Sequence, residues 1–459
     1  MSADTDLGLS IERRSIEPVP QSERHGGAAS LFAVWFGANL HLTTIITGAI
    51  GVVLGLPLPW AILALVVGNL FGAVFMALHS AQGPKLGVPQ MIQSRAQFGV
   101  YGAVVPLLLV IAMYVGFYAG SIVLGGQALA DLTGLPFPLS AGGLSAAITL
   151  LTIYGYRAIH RLERVTSVLA GIAFLWITGR ALFLPGLSAA VTGPISTGTF
   201  LLVISIAATW QITYAPYVAD YSRYLPESTP VRSAFWWTYA GSAIAAIWMM
   251  TLGAVVVSIA PGAFAHGSSA FLLGLVPGPF RWAFSLVLIL GIVAAEVLNL
   301  YGMFMSTVTA VTAFTRTGLG GAGRTVYIVG ASIVGTSVGI LASGDFMANF
   351  KDFILFLAYF LIPWTAINLA DYYLIRKERY DLAAIYDPNG IYGRINWRTM
   401  TAYLIAVLAQ LPFVSSGFYT GPFVAAFGGA DLAWVVGLIV PAVLYVVLMR
   451  PVLNGQQHT

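Results

Sequence analysis

The 459-residue chain has no cysteine, which excludes disulfides, thiolate metal sites and thiol catalysis. Charge is scarce too. Asp, Glu, Lys and Arg make up 8% of the chain, against about 25% in soluble domains. An ordinary globular protein is thereby excluded. The sequence instead has 58% hydrophobic residues and a mean hydropathy of +0.86. Its repeated apolar runs have the length of about 20 residues needed to cross a hydrocarbon layer of about 30 Å. These features define a polytopic, all-α integral membrane protein. The basic pI of about 9.2 does not point to nucleic acid, because the basic residues mark loops and form no single patch.

Twelve segments are predicted, numbered here in chain order: 30–54, 58–79, 101–130, 140–156, 163–183, 198–221, 233–259, 282–313, 325–343, 350–375, 399–418 and 431–449. With both termini placed in the cytoplasm, all but three of the 21 Lys and Arg residues fall on the inner side, and only Arg180, Arg281 and Lys351 fall outside. The positive-inside rule favours that orientation and opposes its inverse. Residues 1–29 are polar, carry Arg13, Arg14 and Arg24, and read as a disordered cytoplasmic tail rather than a signal peptide. Residues 376–398 read as a cytoplasmic loop and 450–459 as a cytoplasmic C-terminal tail.

Within this apolar background Glu296 stands out. It lies inside the run Phe284–Val311, with no basic residue on its own segment. A carboxylate at a helix centre costs roughly 2.5–3.5 kcal/mol on insertion scales, so such a group usually faces a wet cavity or a bundle interior on a substrate or ion path. Two segments are also interrupted. Segment 1 contains Gly37-Ala38-Asn39-Leu40-His41-Leu42-Thr43-Thr44, and segment 6 contains Thr209-Trp210-Gln211-Ile212-Thr213-Tyr214-Ala215-Pro216-Tyr217. Pro216 lacks the N–H a helical ladder needs. Polar, Gly/Pro-broken segments at matching positions of two halves mark inverted-repeat secondary transporters. Their spacing of five predicts a first repeat over 30–183, a second over 198–375, and two further helices over 399–449.

The first inner loop reads Gly83-Pro84-Lys85-Leu86-Gly87-Val88-Pro89-Gln90-Met91-Ile92-Gln93-Ser94-Arg95-Ala96-Gln97-Phe98-Gly99. Its glycines and prolines predict a defined turn. Further motifs are Trp35-Phe36-Gly37-Ala38-Asn39, Leu162-Glu163-Arg164, Ala219-Asp220-Tyr221-Ser222-Arg223-Tyr224, Pro363-Trp364 with Asp371-Tyr372-Tyr373, Tyr392-Gly393 before Asn396-Trp397, and Gly429-Ala430-Asp431. In this order, over about residues 17 to 450, the chain resembles the nucleobase:cation symporter-1 family, closest to its purine–cytosine permease branch.

The resemblance implies a LeuT-like fold with alternating access and a substrate held between segments 1, 3, 6 and 8. It implies that Phe117 stacks on a planar base with Ser121 one turn on, the two sharing a helix face. On segment 6 it implies Trp210 as stacking partner and Gln211 as a contact to the base edge. Adjacent helical residues point about 100° apart, so both line the site only if the helix unwinds there. Asn39 joins the substrate-binding set. On segment 8, Glu296 and Asn299 take base-binding positions and share a face. An ionised carboxyl accepts from ring N–H groups, and a protonated one donates. Asp220 with Arg223 reads as a helix-end ion pair or inner gate. The family's Ser/Thr pair for sodium falls on Leu290 and Gly291, which offer no side-chain oxygen for a hard cation. Proton coupling is therefore expected, with Glu296 as carrier and His41 as second candidate.

No metal or cofactor is expected. The scattered histidines assemble no metal site, and one intramembrane carboxylate has no acid/base partner, which argues against an enzyme. The expected ligand is a nucleobase, cytosine and/or purines. The alternatives are allantoin, a hydantoin or a pyridoxine- or thiamine-type vitamin. A passive channel fits less well, because polar breaks at one depth suit an occluded site. Cell-membrane placement and a monomer or weak oligomer complete the reading.

Overall fold

The computed structural model describes residues 16–154, 156–183, 193–259, 268–315 and 321–456, with side chains left aside at 156–164, 268, 321 and 451–456. Arg13, Arg14 and Arg316 of the inner basic set lie outside the described residues, as do the side chains of Arg157, Arg161 and Leu162-Glu163-Arg164, and residues 457–459 of the C-terminal tail. The described residues are helical, with one isolated bridge, Ser415–Thr420, in place of any sheet. By length and composition eight helices are apolar enough to cross a membrane, or nine if the bent pair in segment 1 counts as one. One 54-residue apolar stretch, Ala322–Ile375, contains two helices, Gly321–Ala342 and Phe346–Leu369, parted by a turn at Ser343–Asp345. Every predicted segment coincides with helix, but two helices are short: Thr197–Ile212 in segment 6 and Trp397–Gln410 in segment 11.

Both predicted interruptions are breaks in helix. Segment 1 consists of Ser30–Gly37 and Leu42–Val53, bent by 63°, with His41 extended at φ −145° and ψ 165°. Segment 6 is helical to Ile212, turns through 213–217 around Pro216, and resumes at Val218–Ser222. Segment 11 ends earlier than expected. Its helix stops at Gln410 ahead of Pro412, and Asp431 then organises the following loop by accepting from Ser415 N–H at 2.7 Å and Tyr359 O–H at 2.6 Å.

Segments 1, 2, 6 and 7 pack closely. A Cβ on Gly48 would run into the Met250 backbone, one on Gly253 into the Ile45 carbonyl, and one on Gly72 into the Ala208 backbone. Small residues let helix backbones approach in a membrane. Segments 3, 4 and 9 also meet through glycine, at Gly339 against the Ala119 carbonyl and Gly126 against Ala141, and are joined in addition by buried hydroxyls. Tyr118 pairs with Ser145 and Ser332 at 3.0 Å, and Ser145 with Ser332 at 2.7 Å. Thr149 donates to Ser332 and Thr336 to Ser145, each at 2.6 Å.

On the face that carries the termini, the first loop forms the defined turn that its glycines predict. Helices Gly83–Leu86 and Gln90–Phe98 end at Gly87 (φ 65°) and Gly99 (φ 82°), a conformation that disfavours other residues. The second helix ties four elements together. Its Gln90 N–H donates to Asp220 at 2.7 Å, Arg95 to the Thr309 carbonyl at 2.8 Å, and Gln97 to buried Asp371 at 3.1 Å, while Phe98 accepts from Asn396 N–H at 2.8 Å.

Residues 16–29 do not follow the disorder expected of the tail. Val19 is buried and donates its N–H to the Gly87 carbonyl at 2.9 Å. Arg24 donates to the Val19 and Pro84 carbonyls, His25 N–H to the Tyr224 carbonyl, and the Tyr386 hydroxyl to the Ile16 carbonyl. This strap is held by backbone groups, which composition does not reveal.

Candidate substrate site

Between the glycine-packed and hydroxyl-linked groups of helices lies a cavity of about 480 Å³. Its walls come from the break in segment 1, segment 3, the end of helix 6, part of segment 5 and a long face of segment 8. The volume falls in the range of small-molecule sites.

Glu296 is 4% exposed and faces this cavity. Asn299 donates to its carboxylate at 2.8 Å and also to the Tyr114 carbonyl at 3.2 Å. Ser121 lines the cavity with them. Segment 8 thus presents a carboxyl flanked by an amide, and segment 3 a hydroxyl, which together supply donors and acceptors for a polar ring edge. The spacing explains it: Glu296 and Asn299 are three apart on one helix, and Phe117 and Ser121 four apart on another.

Aromatic rings close the other sides. Phe117 meets Trp210 edge-to-face at 5.8 Å and Phe353 at 5.3 Å. His41 lies 5.9 Å from the Trp210 ring and also lines the cavity. Such rings offer faces for stacking a planar ligand. Phe117, Ser121, Trp210, Glu296, Asn299 and His41 are therefore brought together as expected.

Asn39 and Gln211 are not. Both are fully buried behind the wall. Gln211 donates to Asn69 at 2.8 Å and accepts from Ser242 at 2.6 Å, so its amide is spent between segments 2 and 7. Asn39 donates to the Trp35 carbonyl at 2.9 Å and accepts from Trp210 Nε1 at 2.9 Å and the Tyr214 hydroxyl at 3.2 Å. It positions Trp210 and leaves no group for a ligand. The physical reason is the site of unwinding. Helix 6 stays intact through Ile212, so Trp210 and Gln211 point in different directions and only the indole reaches the cavity.

Other cavity residues did not emerge from the sequence reading, among them Trp35, Tyr114, Tyr214 and Tyr217. Tyr114 was findable, since it precedes Phe117 by three and Ser121 by seven on the same face. Leu290, one of the two positions read against sodium, is 36% exposed on the outside of the bundle, whereas Gly291 lies on the cavity wall. Asp220 accepts from Gln90 N–H, and the Arg223 guanidinium lies 5.0 Å from the Tyr224 ring centre. Among the described residues, no group of three or more His, Asp or Glu is placed to hold a metal ion.

Residues 18–437 match a family described as permeases for cytosine/purines, uracil, thiamine and allantoin. A putative purine-cytosine permease of Bacillus subtilis is 47% identical over 96% of this chain and 97% of its own length. A purine-cytosine permease of Saccharomyces cerevisiae is 26% identical over 81% of this chain and 72% of its own. Among solved structures, the nucleobase-cation-symport-1 transporter Mhp1, closed with bromovinylhydantoin bound, superposes with a TM-score of 0.76 at 19% identity over 97% of both chains. Its inward-facing form gives 0.77 at 20% identity over 97% of this chain and 95% of its own. The overall fold is thus that of a LeuT-like transporter, and the relatives are permeases rather than enzymes. This multi-pass membrane chain belongs to the nucleobase:cation symporter-1 family of transporters, in its group of cytosine and purine permeases.

Proposed function

We propose that the protein imports a nucleobase, cytosine and/or purines, by proton symport with alternating access across the cell membrane. One observation carries the reading: the Glu296 carboxyl, set with Asn299, opens into a cavity lined by Ser121 and walled by Phe117 and Trp210. Rings with polar edges fit between such faces, and a carboxyl there both holds an N–H edge and exchanges a proton. The naming of the relatives as purine-cytosine permeases supports the ligand class. Of the two positions Leu290 and Gly291, only Gly291 lies on the cavity wall, and its lack of a side-chain oxygen favours the proton over sodium. The strong inner bias of Lys and Arg supports cytoplasmic termini. His41, on the same wall, is the second proton candidate.

Proteoliposomes with an imposed proton or sodium gradient test this directly. Labelled cytosine or adenine is expected to accumulate under the proton gradient alone, and a protonophore to abolish accumulation. Unlabelled allantoin and heterocyclic vitamins are expected to compete poorly. Glu296→Gln, which cannot ionise, is expected to lose uphill accumulation. Full accumulation by Glu296→Gln under a pH gradient overturns the assignment of the carrier.

A further inference from the structure

The cavity is much longer than one base. Along segment 8 its wall runs from Gly291 to Thr309, which at a 1.5 Å rise per residue is about 27 Å. About 20 Å of that lies beyond Glu296, toward the face bearing the strap. This lower stretch is walled by rings. Trp35 meets Tyr214 at 5.5 Å and Tyr221 at 5.2 Å, both edge-to-face, and Tyr217 at 6.2 Å, while Tyr114 lies 5.6 Å from Tyr217. Edge-to-face rings turn faces in several directions instead of collapsing into one stack. Trp35 is 1% exposed, lines the cavity, and has no partner for its indole N–H.

We propose that the stretch between Trp35, Tyr114, Tyr217 and Tyr221 is a second binding station, which takes a planar heteroaromatic ring on its way between Glu296 and the terminus-bearing face. The proposal rests on the nucleobase reading above. Stacking tolerates any base because every base has a π-face. The station lacks the paired carboxyl and amide of Glu296 and Asn299. Among the described residues lining it, the carboxylate of Asp220 already accepts from Gln90 N–H. The station therefore binds more weakly than the upper site, as a place for release requires.

The test is equilibrium dialysis of the purified full-length protein in detergent against labelled cytosine and, in parallel, labelled adenine. Two classes of site per chain are expected, the second at least about tenfold weaker, a difference of about 1.4 kcal/mol. Tyr221→Leu is expected to abolish the weak class and spare the tight one. Tyr221→Phe is expected to keep both, and Glu296→Ala to keep only the weak class. Tyr217→Leu replaces Tyr221→Leu if that variant does not fold. A single class with one site per chain in the unmodified protein overturns the station while leaving the nucleobase reading intact, as does a weak class that survives both leucine variants. If neither base binds saturably, the nucleobase reading falls and the station with it.

Discussion

Segments 1, 2, 6 and 7 touch mainly through glycine, whereas segments 3, 4 and 9 add to a glycine contact, Gly339 against the Ala119 carbonyl, a network of hydroxyl groups. In the first group, backbone meets backbone at Gly48, Gly72 and Gly253, with no side chain between to adapt. In the second, Tyr118, Ser145, Thr149, Ser332 and Thr336 form a network in which each hydroxyl meets at least one other. Neither interface tolerates sliding, but for different reasons. One is locked by excluded volume, the other by the cost of leaving a polar group unpaired where no water reaches it. The cavity lies between these two groups, with segments 5 and 8 completing its walls. Movement between the groups is therefore cheaper than movement within either, as rocking models of alternating access require.

The contrast makes graded predictions. Gly48→Val forces segments 1 and 7 apart at a backbone contact. Overpacking of this kind costs about 3 kcal/mol or more, and it is expected to remove most folded protein in a detergent thermal melt. A near-normal melt shows that the two helices can separate, and the picture of a rigid body then fails. Ser332→Ala removes the hydroxyl that joins Tyr118, Ser145 and Thr149. The expected loss is about 1–3 kcal/mol, read as a lowered melting temperature with the uptake KM unchanged. A change in KM without a change in melting would place Ser332 in the transport path instead. Gly330→Ala has the smallest effect. Nothing lies within 4 Å of a Cβ at Gly330, on segment 9, so the helix is expected to gain about 0.5–1 kcal/mol. A marked loss there would mean that Gly330, like Gly335 and Gly339 on the same segment, is packed against a neighbour and not open.

Much of this was legible in the sequence because lipid imposes strict rules. Hydropathy placed the segments, and the cost of an unpaired carboxylate singled out Glu296 before any comparison. Helical periodicity paired Phe117 with Ser121 and Glu296 with Asn299 correctly. The choice between Trp210 and Gln211 was not legible, because it depends on which peptide unit helix 6 unwinds at. Pro216 favours a break nearby but does not fix where the helix ends, and Pro363 sits inside the unbroken helix Phe346–Leu369. Asn39 was misplaced for a related reason. A polar residue at a break reads the same whether it faces the ligand or braces the indole that does. The strap over 16–29 was missed because its acceptors are backbone carbonyls, which every sequence has, and its side-chain donors, Arg24 and Tyr386, carry no mark of the partners they meet.

That strap also bears on how the molecule is made. Its hydrogen bond from the Tyr386 hydroxyl to the Ile16 carbonyl joins residues 370 apart. Chains emerge from the ribosome N-terminus first, at about 5–20 residues per second. Ile16 must therefore wait for the tenth segment and the loop after it before its partner exists. This one tie is consequently a late event in biogenesis and marks a chain inserted almost to its end, whereas the ties to Pro84 and Gly87 can form once the first loop exists.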